Sequence, residues 1–131
     1  MTHLLDTDTC IGILRQRPGM VQRLTLHDPT DCAVSMVTVY ELYCGLARAQ
    51  NPANEREKVR RFIAAIMELP WDRASAEAAA QIRSELERQG MLIGPYDLLI
   101  AGQALAYGLT LVTNNIREFQ RVSGLKLDSW L

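Results

Sequence analysis

The chain has 131 residues, of which 48% are hydrophobic and 22% are charged. This length and these proportions are typical of a globular domain, so we expect residues 1–131 to form a single domain and exclude disordered and collagen-like chains. The 14 Lys and Arg residues against 15 Asp and Glu residues give a net charge of −1. This balance excludes a generally basic surface for nucleic acid.

The cysteines and the N-terminal residues indicate in which cellular compartment the protein is expected. The 3 cysteines lie far apart in the sequence, which excludes a disulfide framework and a zinc site built on paired cysteines. The first residues lack the basic and apolar regions of a signal peptide, and no run of about 18 apolar residues is present for a membrane span. We therefore expect a soluble, cytoplasmic protein that contacts no membrane.

Short apolar runs alternate with longer stretches of helical period, which is the pattern of β-α-β units. We predict an α/β fold in which helices cover both faces of a mostly parallel sheet of about five short strands. The predicted strands are His3–Asp6, Cys32–Met36, Met67–Trp71, Leu109–Thr113 and Lys126–Trp130.

Asp6 ends the first predicted strand. The carboxyl ends of parallel strands form the edge where open α/β sheets bind ligands, so Asp6 is a candidate functional residue. The alternative is structural, since one of Asp6, Thr7 and Asp8 is expected to cap a helix that begins near Thr9.

Glu41 lies near the start of a helix predicted from Val39 to Gln50, shortly after the second strand. The spacing Thr38-x-x-Glu41 is that of a capping box, with Val37 and Leu42 as its hydrophobic contact, which is a purely structural interpretation. Because the helix follows a strand, its start is also expected at the ligand-binding edge.

Asp97 is the third residue of the last long helix. Helices are predicted from just after Asn51-Pro52 through Ile66, from about Ala74 to Gln89, and from Pro95 to a stop signal at Gly108. A carboxylate in a first turn interacts favourably with the helix dipole, by about 0.3–1 kcal/mol, which is the structural explanation. However, Asp97 shares its helix face with apolar residues, and a buried charge needs a partner or a metal ion.

Three polar residues, Thr113, Asn114 and Asn115, follow the fourth strand. They form either an Asn-rich turn or a further part of the same edge. Carboxylates that converge there repel one another unless protons or a divalent cation compensate them. Oxygen ligands without His or Cys favour Mg²⁺ or Mn²⁺ over zinc, and such a site suits phosphodiester hydrolysis.

At these positions the chain resembles the VapC-type PIN-domain ribonuclease toxins of prokaryotic toxin–antitoxin pairs. The resemblance runs the whole length and implies a PIN-like α/β/α sandwich and a Mg²⁺- or Mn²⁺-dependent endoribonuclease, acting on structured or translated RNA and often on tRNA. It also implies a homodimer held by a VapB-like antitoxin. The motifs that carry it are Leu4-Leu5-Asp6-Thr7-Asp8, Ser35-x-x-Thr38-x-x-Glu41-Leu42-x-x-Gly45, Ile93-Gly94-Pro95-x-Asp97-x-x-Ile100-Ala101 and Leu111-Val112-Thr113-Asn114-Asn115-x-x-Glu118-Phe119.

The resemblance also implies roles for individual residues. Asp6, Glu41 and Asp97 match the acidic triad of the family, with Asp6 and Asp97 as metal ligands and Glu41 acting directly or through water. The fourth acidic position of many PIN domains falls on Asn115, an amide, so Asn115 is a candidate catalytic residue whose share of metal binding is open. Glu118, one helical turn later, is a candidate source of the missing charge.

The hydroxyls of Thr7 and Thr113 are further candidates, as donors to water or to a phosphate. Asp8 is interpreted as a helix cap. Two isolated histidines, His3 and His27, are interpreted as strand or surface residues. The tyrosines are interpreted as scattered residues of the packing or of a dimer surface, and RNA contacts are assigned to scattered arginines, with Arg15, Arg17, Arg48 and Arg60 as candidates.

Three alternatives remain. The pattern Asp6-x-Asp8 after a strand is shared by haloacid-dehalogenase-type phosphatases, where Asp6 is the nucleophile, and a phosphoacceptor receiver domain is related in pattern. Both need a lysine after a strand, which neither Lys58 nor Lys126 supplies. The third alternative is a PIN-like module that has lost activity and only binds a partner.

Overall fold

A five-stranded parallel sheet lies at the centre of the computed structural model, which describes residues 1–131. The strand order is β3-β2-β1-β4-β5, and every neighbouring pair is parallel. All five predicted strands are present and the predicted α/β/α fold is confirmed, although each strand is shorter than predicted. The strands are β1 His3–Leu5, β2 Cys32–Ser35, β3 Met67–Leu69, β4 Thr110–Val112 and β5 Leu127–Asp128.

Seven α-helices flank the sheet, with a 3₁₀ turn at Pro29–Asp31 before β2. Two short helices, α2 and α7, were missed because fewer than two turns give little helical periodicity. No helix has the length and apolar character needed to cross a membrane. The helices are α1 Thr7–Leu14, α2 Met20–Thr25, α3 Met36–Leu46, α4 Pro52–Ala64, α5 Arg73–Gln89, α6 Pro95–Ala106 and α7 Ile116–Phe119.

The predicted capping box at the start of α3 is wrong. The helix begins at Met36, three residues before the predicted start, and the Ser35 side chain accepts a hydrogen bond from the backbone N–H of Val37 at 3.0 Å. A serine directly before the first helical residue satisfies this free N–H group as well as a threonine does. Thr38 and Glu41 therefore lie inside the helix, and their side chains are available for other contacts.

The central strands are buried on both faces, which explains their short, almost wholly apolar sequences. Leu4 packs with Leu111 in a core beneath α5 and α6. Leu5, its neighbour in β1, packs with Val34 in a second core on the opposite face, beneath α1 and α2. Both leucines have no exposed surface, and burying a side chain of this size stabilises a fold by ~1.5–3 kcal/mol. This packing fixes the direction in which the strands deliver the residues that follow them.

Close contact between α5 and α6 holds the helix that carries Asp97. A Cβ atom at Gly102 would lie 2.6 Å from the Cβ atom of Ala79, so the two helices approach as closely as they do because position 102 has no side chain. The buried amide of Gln103 also donates a hydrogen bond to the carbonyl oxygen of Pro70 at 3.0 Å. The second half of α6 is therefore held both by α5 and by the residue that follows β3.

The two histidines are not isolated, contrary to the sequence interpretation. The rings of His3 and His27 lie 4.6 Å apart, and His27 stacks on Trp130 at 5.3 Å. Trp130 is buried. Burial lowers the pKa of His3, His27 lowers it further, and Asp128 and Asp31 oppose the shift without reversing it. The fold thus favours the neutral form of His3.

Replacing His3 with Phe should make the protein less sensitive to acid. Because the pKa of His3 is lowered in the folded state, its stabilising effect is present above the pKa of the unfolded chain and is lost as pH falls through the folded value. We expect the free energy of unfolding of the parent to drop more than that of the variant between about pH 7.5 and about pH 5. Denaturant melts at both pH values test this, and equal losses in the two proteins would assign the acid sensitivity elsewhere.

Candidate active site

The ends of three adjacent strands lie side by side at the carboxyl edge of the sheet. Leu5 in β1 pairs with Val34 in β2 and with Val112 in β4. The next residues, Asp6, Ser35 and Thr113, therefore lie at the same level of this edge, as the parallel pattern predicts. Each of the three is buried.

Asp6 combines the two roles that the sequence left open. Its Oδ1 atom accepts a hydrogen bond from the backbone N–H of Thr9 at 2.8 Å, so Asp6 caps α1. Asp8 is not the cap, which corrects the sequence interpretation: it lies exposed in the first turn of the helix. Asp6 is 2% exposed, and burial raises the pKa of its carboxyl, although contacts with Thr113 and Thr9 oppose that shift.

Glu41 faces the same edge from the second turn of α3. It is half-buried, and its Oε1 atom accepts a hydrogen bond from the Thr7 hydroxyl at 2.7 Å. This bond joins the start of α1 to α3, across the ends of β1 and β2. Glu41 and Asp6 therefore belong to one cluster.

Asp97 lies in the first turn of α6, as predicted, and it is half-buried. Burial raises the pKa of Asp97 to about 7, with further contributions from the nearby negative charges of Glu118, Asp6, Glu41 and Asp8, in that order. Charges act over such a range only when they are close and poorly screened. The shift therefore shows that acids from four parts of the chain share one region.

Glu118 provides the fourth carboxylate of this region, at the position where the sequence left Asn115 and Glu118 open. Its Oε1 atom accepts a hydrogen bond from the backbone N–H of Gly94 at 2.8 Å, and its Oε2 atom accepts one from the Asn115 amide. A Cβ atom at Gly94 would lie 3.5 Å from Asp97 Oδ2 and 3.9 Å from Glu118 Oε1. Glu118 thus lies beside Asp97, and the side chain of Asn115 holds it there.

Thr113 connects β4 to this acidic region. It has no exposed surface, its Oγ1 atom accepts a hydrogen bond from the backbone N–H of Asn115 at 2.9 Å, and its side chain lowers the pKa of Asp6. The hydroxyl therefore accepts a hydrogen bond from the segment that follows β4 and lies close to Asp6. Its position supports the geometry of Asp6 and Asn115.

The acidic cluster, defined here as Asp6, Glu41, Asp97 and Glu118, has no basic partner. The six ion pairs of the structure all lie elsewhere and involve none of these carboxylates. No group of three such side chains is yet close enough to enclose a metal ion. The cluster therefore places carboxylate oxygens and uncompensated negative charge together at one edge of the sheet.

Comparison with known proteins identifies the fold. The model of the PIN domain family matches residues 3–125. The chain belongs to the PIN-domain family. It is similar to a tRNA(fMet)-specific endonuclease VapC from Shigella flexneri, with 41% identity over 99% of this chain and 98% of the relative. A Ribonuclease VapC2 from Haemophilus influenzae is 33% identical over 100% of this chain and 99% of its own length.

A solved structure supports the same assignment. The DNA-bound VapBC structure from Salmonella typhimurium superposes with a TM-score of 0.96 at 36% identity, covering 100% of this chain and 99% of the other. The predicted resemblance to VapC-type PIN-domain proteins is therefore confirmed. The phosphatase and receiver-domain alternatives are set aside, since neither is a PIN domain.

A pair of surface tyrosines that the sequence did not predict lies on the two helices that carry Glu41 and Asp97. Tyr40 precedes Glu41 and Tyr96 precedes Asp97, and the two tyrosine rings lie 5.7 Å apart on the surface. The tyrosines are therefore not all scattered. The only signal in the sequence was that each tyrosine directly precedes an acidic residue of a helix. The two tyrosines border an apolar cleft of about 330 Å³, whose other lining residues are Met36, Val37, Trp71 and Leu99.

The arginines proposed for RNA binding are all exposed. Arg60 is paired with Glu57 at 2.7 Å. Arg17 lines a pocket of mainly polar residues between α1 and α2. None of these arginines forms an ion pair with the acidic cluster. Their assignment to RNA stays a prediction, because the structure contains no RNA.

Proposed function

We propose that this protein is the endoribonuclease toxin of a toxin–antitoxin pair and that the acidic cluster is its catalytic centre. The observation that carries the proposal is the set of four carboxylates gathered at the carboxyl edge of the sheet without a basic partner. Burial and the other acids raise the pKa of Asp97 to about 7, which is the type of shift that marks functional sites. Two relatives that match this chain over nearly their whole length are named as a tRNA(fMet)-specific endonuclease and a ribonuclease.

We further propose Mg²⁺ or Mn²⁺ as the cofactor. The donor set fits, because it consists of carboxylate oxygens, which hard divalent cations prefer. Asp6 and Asp97 would hold the ion, with Glu41 and Glu118 completing the site directly or through water. When bound, such an ion supplies activation of a water molecule and compensation of the phosphate charge.

The chain's own groups have separate tasks in this scheme. The N–H of Thr9 fixes Asp6, and the N–H of Gly94 together with the Asn115 amide fixes Glu118. Asp97 has no such restraint from a side chain and is free to turn towards its neighbours. In this proposal Asn115 positions an acid rather than replacing it, and Glu118 supplies the fourth charge.

The proposed substrate is transfer RNA, in particular the initiator tRNA. Relatives from Shigella flexneri and Salmonella typhimurium, 41% and 38% identical to this chain, are named as tRNA(fMet)-specific endonucleases. The test is incubation of the purified protein with initiator and elongator tRNAs, followed by mapping of the 5′ ends. Asp6→Asn is the matched control, because Asn caps a helix as well as Asp and the fold should persist while a charge is lost.

The outcomes separate the proposal from its alternatives. Cleavage of initiator tRNA by the parent and its loss in Asp6→Asn support the proposal. Cleavage of other RNAs alone would retain the nuclease and reject the substrate. Equal, undetectable cleavage by both folded proteins in the presence of Mg²⁺ would favour the inactive binding module.

The proposed partners are a VapB-like antitoxin and a second copy of the chain, in the cytoplasm. The solved structures of similar proteins from Salmonella typhimurium and Rickettsia felis are VapBC complexes. A basic side chain of an antitoxin would meet the uncompensated acidic cluster, which favours binding by electrostatic complementarity. The exposed apolar cleft at Tyr40 and Tyr96 supports the homodimer.

A further inference from the structure

Two buried threonines lie behind Glu41. The Thr7 hydroxyl is 2.7 Å from Glu41 Oε1 and 3.1 Å from the Thr38 hydroxyl. Thr7 is 8% exposed and Thr38 has no exposed surface. The three side chains therefore form one row, which begins at Thr38 in α3, passes through Thr7 in α1 and ends at Glu41 in the acidic cluster.

The number of hydroxyl protons determines the direction of the hydrogen bonds in this row. A carboxylate only accepts hydrogen bonds, so Thr7 uses its single hydroxyl proton to donate to Glu41. Thr7 then has only lone pairs for Thr38, and Thr38 must be the donor of the 3.1 Å contact. The order is Thr38 to Thr7 to Glu41, with each hydroxyl donating towards the acid.

Neither hydroxyl is needed to begin its helix. Asp6 caps α1 and Ser35 caps α3. A threonine inside a helix commonly bonds to a backbone carbonyl of the preceding turn, whereas the Thr38 hydroxyl contacts Thr7. Helix formation therefore does not account for the pair, and the contact with Glu41 does.

We infer that Thr7 and Thr38 are positioning residues that fix Glu41 for the reaction. The inference rests on the proposed function, because it gives Glu41 a task in RNA cleavage. The Thr7 hydroxyl holds Oε1 in one place and restricts the rotation of a side chain that has several rotamers. The Oε2 atom makes no hydrogen bond with the protein and stays available at the cluster. Thr38 acts through Thr7 by fixing the direction of its hydroxyl.

The first test compares Thr7→Val with Thr7→Ser. Val keeps the shape of Thr and removes the hydroxyl, whereas Ser keeps the hydroxyl. We expect Thr7→Val to lower kcat by about 10- to 100-fold with KM within about twofold of the parent. Thr7→Ser should recover most of the loss, and Thr38→Val should have a smaller effect, since the bond from Thr7 to Glu41 remains.

A double-mutant cycle shows whether Thr7 acts through Glu41. In a Glu41→Met background, which has no acceptor at this position and lacks a proposed catalytic group, Thr7→Val should not lower the denaturant midpoint further. Ser75→Ala is the control, because it removes a hydroxyl with no exposed surface at the start of α5. It should shift the midpoint equally in both backgrounds.

The results that overturn the inference are distinct from those that overturn the nuclease. Additive midpoint shifts for Thr7→Val and Glu41→Met, or a failure of Thr7→Ser to restore kcat, would reject the positioning role. If the parent cleaves no RNA, the proposed function fails. The denaturant cycle then still decides whether Thr7 and Glu41 are coupled, and coupling without cleavage would leave the pair as a structural contact and also reject the positioning role.

Discussion

RNA cleavage by the purified protein should fall by at least about 100-fold when EDTA removes divalent cations, and should return when Mg²⁺ or Mn²⁺ is added in excess. The reason is the acidic cluster, whose carboxylates have no basic partner in the protein. Without a cation they would repel the phosphate of the substrate. The cluster offers no other group that compensates this charge.

The control must separate loss of the cation from loss of the fold. Denaturant melts with and without EDTA should show that the protein remains folded, and excess cation should stabilise the parent more than Asp6→Asn. Zn²⁺ should restore less activity than Mg²⁺, because the cluster lacks His and Cys ligands. Undiminished cleavage in excess EDTA would end the proposal of a metal-dependent site.

The location of the site followed from the sequence because parallel strands end at one edge. Asp6 follows β1 and Thr113 follows β4, and the register of those strands places them side by side. Asp97 was conspicuous as a carboxylate on an apolar helix face, and the structure shows it half-buried among other acids. These two signals depend on strand direction and helical period, both of which can be inferred from a single sequence.

The helix starts were less predictable, since several residues compete for one free N–H group. Asp6 caps α1 where Asp8 was expected, and Ser35 caps α3 where Thr38 was expected. Local propensity does not distinguish adjacent Ser, Thr and Asp residues, and the choice depends on where the sheet ends. This error concealed the contact from Thr7 to Glu41, because Thr38 had already been assigned to a cap.

Contacts between distant segments were not predictable from one sequence. Tyr40 meets Tyr96 and His3 meets His27 only because the sheet order brings their elements together. Glu118 was left open beside Asn115 for the same reason, since the N–H of Gly94 that holds it belongs to the start of another helix. Hydrophobic periodicity indicates which face of a helix or strand is buried, but it does not indicate which other element packs against that face.

Replacing Asp97 with Asn should raise the stability of the metal-free protein and lower its RNA cleavage activity. Burial and neighbouring acids raise the pKa of Asp97 from 3.8 to about 7. A raised carboxyl pKa means that the charged form opposes folding, so stability that is present at low pH is lost as pH rises through the folded value. Asn keeps the shape and carries no charge. The metal-free variant should therefore be more stable than the parent near pH 8, by ~1 kcal/mol after solvent screening, and the difference should vanish near pH 4.

The same substitution should reduce RNA cleavage by about 100-fold or more, because it removes a proposed metal ligand. Asp72→Asn is the matched control, since Asp72 caps α5 on the exposed surface and its pKa is lowered by Tyr107 and Ser75. That control should keep its activity and gain no stability at high pH. Metal-free denaturant melts across the pH range and cleavage rates with Mg²⁺ are the measurements. An Asp97→Asn protein that is less stable at every pH and still cleaves normally would show that Asp97 only stabilises the start of α6 through the helix dipole.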